Sequence, residues 1–272
     1  MAYDILGKGE LDYSPCQYSG SKLLFRGPKR KLNDPYMVAL GGTETYGKFT
    51  RKPYPDLLED MLGRKVVNLG CANAGLDVYL NDPALLDICN KAEAIVLQIP
   101  GAQNMSNRYY GVHPRRNDRF LQASSLLKMI YADVDFTDYS FTRHLLSALH
   151  SASEDKFELV KQELKEAWVG RLKNLLSQFE TRVTLLWLSD HSIAEAEDDI
   201  NASDPLFVDY AMVENVRPFV HELVEIKASA DQIKVGQAGL AYSEMDQPAA
   251  CQMLGTHAHM AAAEGLAEVL GR

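Results

Sequence analysis

Three segments of this chain end an apolar run in glycine and then set out side chains able to do chemistry. They are "GGTETYG" at residues 41–47, "NLGCANAG" at 68–75 and "PGAQNMSN" at 100–107. In the first, Thr43 offers a hydroxyl that attacks an acyl carbon if a base lies beside it. Glu44 and Tyr46 follow as candidate polar ligands at the mouth of a core strand. In the second and third, the glycines let backbone N–H groups approach a ligand, and Asn104 is a candidate donor to an oxyanion. Gln103, Asn104, Ser106 and Asn107 form a dense run of neutral donors. Each of these also has a plain structural use: a loop hydroxyl caps a turn, and an asparagine satisfies loop backbone.

A base has to come from elsewhere in the chain. "WLSDHS" places Asp190 and His191 just past an apolar run, and "MLGTHAHM" holds His257 and His259. His144, His150 and His221 fall on helical patterns and read as packing or surface residues. "VHPRRNDR" gathers His113, Arg115, Arg116 and Arg119 in one short loop. Three guanidiniums so close suit a carboxylate, sulfate or phosphate. The alternative is a set of ion pairs with the chain's own excess of carboxylates.

The elements that must position these groups alternate. Short β-branched runs at Tyr36–Leu40, "KVVNLG", "AIVLQIPG" and "RVTLLWLS" read as buried parallel strands. Between them lie helices: "PYPDLLEDMLG" with Gly63 at its stop, and "NDPALLDICNKA" with Asp82 as N-cap and Pro83 in the first turn. A long amphipathic helix spans Glu154 to Phe179, its apolar residues recurring every three or four positions. Helix is expected from about Phe120 to His150. A further helix opens at "SDPLFVDYAM", with Ser203 or Asp204 as cap, Pro205 in its first turn and a kink at Pro218. "DQIKVGQ" reads as a last short strand and "HMAAAEGLAEVLGR" as a closing helix. The pattern predicts one α/β domain over 1–272: a three-layer α/β/α sandwich on a mostly parallel sheet, flavodoxin-like. An irregular arm covers 1–34 and a helical insertion about 120–179. In such sheets ligands bind beyond the carboxyl ends of the strands, where all three loops would open.

At these loops the chain resembles the SGNH/GDSL hydrolase superfamily. That family carries a nucleophilic serine loop after its first strand, an oxyanion glycine after the second and an oxyanion asparagine after the third. An Asp-x-x-His near the carboxyl terminus supplies the base. The resemblance, over roughly residues 36–110 and weakly at the end of the chain, sets Thr43 at the serine position. It sets Gly75 (or Asn73) near the oxyanion glycine and Asn104 at the oxyanion asparagine. It implies an ester hydrolase or acyl-transfer enzyme acting on O-acyl groups, for example on carbohydrate. The departures are plain. Gly42 and Thr43 replace the usual Asp-Ser. Leu254 and Thr256 stand three positions before His257 and His259, where an acidic residue belongs. Aligning the closing helix by its Ala/Leu pattern puts Met253 at the catalytic histidine. The alternative expectation is therefore a hydrolase fold with a degenerate triad that binds a polar or anionic ligand or a partner protein.

Composition narrows the partners. A net charge of −9 over 272 residues disfavours nucleic acid. No apolar run approaches a membrane span. The start, "MAYDILGKGELDYSP", lacks the layout of a secretory signal. Cys16, Cys71, Cys89 and Cys251 are scattered, with no zinc spacing, and read as free thiols in a reducing compartment. The expectation is a cytoplasmic protein with a small-molecule or carbohydrate-like ligand, no cofactor and no metal, with room for a homo-oligomer. Walker and Rossmann glycine patterns are absent.

Overall fold

The computed structural model describes residues 10–272. The first nine residues of the amino-terminal arm lie outside the described residues. Five parallel strands form the central sheet: β1 Met37–Leu40, β2 Val66–Asn68, β3 Ile95–Gln98, β6 Val183–Ser189 and β7 Glu222–Lys227. Their order is β2-β1-β3-β6-β7. This is the flavodoxin-like order, with its reversal between β1 and β3. A separate antiparallel hairpin, β4 Tyr110–His113 and β5 Arg116–Ala123, stands off the sheet.

Alternation along each strand feeds two cores. Met37, Ala39, Val96, Leu186 and Val224 face one side, under α2 (Tyr54–Leu62) and α11 (Thr256–Leu270), with α9 (Ala230–Gln237) alongside. Val38, Leu40, Val67, Leu97, Leu185 and Trp187 face the other. That side is covered by α3 (Leu76–Leu80), α4 (Pro83–Asn90), α6 (Thr142–Ala152), α7 (Glu154–Ser177) and α8 (Tyr210–Val216). Three short helices complete the order: α1 (Thr43–Tyr46), α5 (Ser125–Ile130) and α10 (Gln247–Ala250). Helix α7 buries Phe157, Val160, Leu164, Trp168, Leu172 and Leu175. Its Trp168 indole donates to Pro100 O at 2.8 Å, which fastens the loop after β3.

Several expectations need correction. Phe120–Ala123 is strand, not helix, because the segment folds back on β4 with register shifts near His113. "DQIKVGQ" is helix α9, with a capping box of Ser229 and Gln232. The last strand is instead β7, which begins just after His221, so His221 lies on no helix. The helix expected at Ser203 begins at Tyr210, capped by Asp209, while Ser203–Phe207 is loop.

Candidate functional site

The turn after β1 is built for rigidity. A Cβ on Gly41 would sit 2.1 Å from Thr45 Oγ1 and 2.6 Å from Gln98 Cβ, so only glycine fits there. The Thr45 hydroxyl donates to Gln98 Oε1 at 2.6 Å and shares a 2.9 Å hydrogen bond with Tyr54 Oη. Asn68 Nδ2 donates to Thr45 O at 2.7 Å. Tyr79 Oη accepts from Gly41 N at 2.9 Å and donates to Gly41 O. Glu44 turns away from the loop mouth: Oε1 accepts from Leu254 N at 2.9 Å, and Oε2 lies 3.1 Å from His259 Nε2. Tyr46 packs on Tyr13, ring centroids 5.3 Å apart. Glu44 and Tyr46, expected as ligand groups, both tie the turn to other parts of the fold. Of the four residues in α1, Thr43 bonds through its side chain to Asn73 in the loop after β2.

There it meets Asn73, whose backbone adopts the left-handed region at φ +55°, a conformation asparagine tolerates. The Thr43 hydroxyl donates to Asn73 Oδ1 at 3.0 Å and accepts from Asn73 N at 3.0 Å. Asn73 Nδ2 donates to Asp118 Oδ2 at 3.2 Å. Asn104 Nδ2 donates to Asn73 O at 3.3 Å, and Asn104 Oδ1 accepts from the Thr142 hydroxyl at 2.7 Å. The structure thus brings Thr43 and Asn104 together at the carboxyl edge of the sheet through Asn73. Asp118 and Thr142 were missed from sequence. They lie on the hairpin and on α6, and no local pattern ties either to the strand loops.

Gly75 is adjacent but differently used. A Cβ there would fall 1.5 Å from Asn104 O, so glycine is required for the two loops to touch. Its amide donates to Asn117 Oδ1 at 3.1 Å, and Val78 N donates to the same oxygen at 3.0 Å. Asn117 is fully buried and caps α3 from the hairpin. With its amide committed, Gly75 is no free oxyanion donor, which corrects that expectation.

The histidines are separately placed. His259 is 1% exposed; its Nδ1 accepts from Tyr54 N at 3.2 Å, so the neutral ring carries its proton on Nε2, toward Glu44. The 3.1 Å approach to Glu44 Oε2 is off the line of a good hydrogen bond. His259 therefore ties α11 to α1 and α2 and is no base for Thr43, a further correction. His257 is exposed on the first turn of α11. His191 Nδ1 lies 2.7 Å from Asp190 Oδ1 and 2.9 Å from Ser189 Oγ. Burial pushes the Asp190 carboxyl up, but hydrogen bonds from Ser203 and His191, with the His191 charge, hold it below the usual range. Among the described residues no histidine hydrogen-bonds to Thr43.

Gln103 is 4% exposed; its Nε2 donates to Asp204 Oδ1 at 2.9 Å, bracing the two loops, while its buried Oε1 has no hydrogen-bond partner among the described residues. Arg143, next to Thr142, reaches the same carboxylate oxygen at 3.2 Å. Arg115 and Arg116 are exposed at the hairpin tip, and Arg119 stacks over Phe141 with Cζ 4.4 Å from the ring centroid. None of the three forms an ion pair with a carboxylate among the described residues. Among the described residues no group of three or more histidine, cysteine, aspartate or glutamate side chains is placed to hold a metal, and no helix is long and apolar enough to cross a membrane.

Solved structures with similar chain paths include a lipase from a goat rumen metagenome: 13% identity, TM-score 0.44, covering 86% of this chain and 97% of that one. An acetyl xylan esterase from the rumen bacterium Butyrivibrio proteoclasticus has 9% identity and TM-score 0.42, covering 91% of this chain and 65% of that one. A variant of an acetyl-xylooligosaccharide esterase from Geobacillus stearothermophilus has 12% identity and TM-score 0.41, covering 88% and 94%. No curated protein matches the chain. One family matches along residues 1–272, and the chain belongs to it: the family described as a domain of unknown function, DUF6473.

Proposed function

We propose that this SGNH-like hydrolase fold uses the carboxyl edge of its sheet to hold a hydroxyl-rich, carbohydrate-like ligand, with Thr43 as a holding group and not a nucleophile. The observation that carries this reading is the reciprocal pair of Thr43 and Asn73, each hydrogen bond 3.0 Å long. A hydroxyl becomes a nucleophile by giving its proton to a base. The Thr43 proton points at an amide oxygen, which does not take up protons at ordinary pH. Thr43, Asn73, Asn104 and Thr142 are neutral groups that both donate and accept, the character that matches sugar hydroxyls.

A second reading, hydrolysis of an O-acyl ester, is favoured by one feature. Asp190 orients His191 through Nδ1, and His191 Nε2 has no hydrogen-bond partner among the described residues. An imidazole so held is suited to general-base work on water.

Hydrolysis of p-nitrophenyl acetate separates the two. The expected rate is near background, and Thr43→Ser, which removes only the methyl, raises it less than about twofold because the base is what is missing. Under the second reading the wild type is active, His191→Gln abolishes the activity and Thr43→Ala does not. Robust activity abolished by Thr43→Ala overturns the binding reading.

A further inference from the structure

We propose that the β4–β5 hairpin is an anion clamp in which Arg116 and Arg119, with Arg115 at the tip, grip a phosphate or sulfate group carried by the ligand. The inference rests on reading the adjoining cleft as a ligand site, and it adds the charge that the neutral cleft lacks. Four observations carry it.

The hairpin is fixed, not loose. Buried Asn117 accepts from the amides of Gly75 and Val78 and donates to His113 O at 3.0 Å, so the tip is fastened to α3. Strand β5 runs beside the loops that hold Thr43, Asn73 and Asn104: Asp118 reaches Asn73, and the next residue, Arg119, bridges to Phe141 in backbone pairing. Phe141 directly precedes Thr142, which is bonded to Asn104.

The Arg119 guanidinium lies over the Phe141 ring, Cζ 4.4 Å from its centroid, and donates no hydrogen bond among the described residues. Its N–H groups are the donors that meet an oxyanion in pairs. The hairpin's one carboxylate, Asp118, accepts from Asn73 and pairs with none of the three arginines. His113 Nδ1 accepts from Arg115 N at 3.2 Å, so the neutral ring carries its proton on Nε2, one more donor at the tip. In a chain of net charge −9, a local run of guanidiniums with no carboxylate partner among the described residues is set against the prevailing field and attracts anions.

The test is thermal unfolding of the full chain in phosphate, sulfate, acetate and chloride at equal ionic strength. Phosphate or sulfate at tens of millimolar is expected to raise the midpoint by about 2–5 °C over chloride. Arg116→Ala/Arg119→Ala is expected to raise the apparent Kd for that anion about tenfold or more. These are exposed side chains, so the fold survives their removal; Arg182→Ala, on the opposite edge of the sheet, should change nothing. No protection by phosphate or sulfate overturns the clamp, as does protection that survives the double variant or is lost in Arg182→Ala. Protection by acetate equal to phosphate also overturns it, since the clamp is for a tetrahedral group. Glucose and glucose 6-phosphate, each assayed with Asn104→Ala, separate this inference from the cleft reading. Phosphate protection that depends on the arginines but is indifferent to Asn104→Ala for both sugars leaves the clamp standing and removes the cleft. Glucose protection lost in Asn104→Ala, with no gain from the phosphate, does the reverse.

Discussion

Gly75→Ala is expected to lower stability by about 3 kcal/mol, near the top of the range for overpacking. The backbone of Gly75 has φ −105°, ordinary for any residue, so the cost is not torsional. It is steric: the new Cβ would fall 1.5 Å from Asn104 O and 2.6 Å from Asn104 C. Both are backbone atoms, which cannot swing aside as a side chain would. The loop after β3 must move, and with it the bond from Asn104 to Asn73. In a chain of 272 residues the loss corresponds to a fall of about 6–12 °C in Tm. Gly170→Ala is the matched control, because a Cβ at Gly170 meets nothing within 4 Å. It lies inside α7, where alanine should stabilise by about 0.5–1 kcal/mol. Equal effects from the two substitutions would show that the two loops are not in contact.

Asn117→Ala should cost about 2–4 kcal/mol. The fully buried amide bonds two backbone donors and one backbone acceptor, and its removal takes that partner from all three. The effect should be local as well as global. Hydrogen exchange at the amides of Gly75 and Val78 should quicken far more than at the β1 and β3 amides. A loss of stability with unchanged exchange at those two amides would mean that Asn117 does not cap α3.

These two residues also mark how far the sequence could be read. Gly75 stood out because glycine after an apolar run signals a turn, and its place beside Asn104 follows from parallel strands ending on one edge. Its use as a contact point rather than an oxyanion donor depends on Asn117, forty-two positions away. Nothing local announces that pairing. The hairpin itself was hidden because "RNDRF" shows no regular alternation, its strand being irregularly paired near the tip. Strand β7 was missed for a related reason: "ELVEIK" is a half-exposed edge strand whose glutamates dilute the apolar signal. The buried strands β1, β3 and β6 were legible because both faces are covered and almost every position is apolar. His259 could be assigned to the closing helix, but its contact with Tyr54 spans more than two hundred residues. Asn73 was recognised only as an alternative to Gly75, since its left-handed backbone and its grip on Thr43 are properties of the folded loop.

The central claim is that the Thr43 hydroxyl holds a ligand and does not attack one. Exposure of the folded protein to a fluorophosphonate, followed by peptide mass spectrometry, tests it most directly, because such reagents label hydroxyls that a neighbouring base has activated. The expected result is no phosphonylated peptide containing Thr43, in a preparation whose Tm is unchanged. Stoichiometric label on Thr43, lost in Thr43→Ala, would contradict the account.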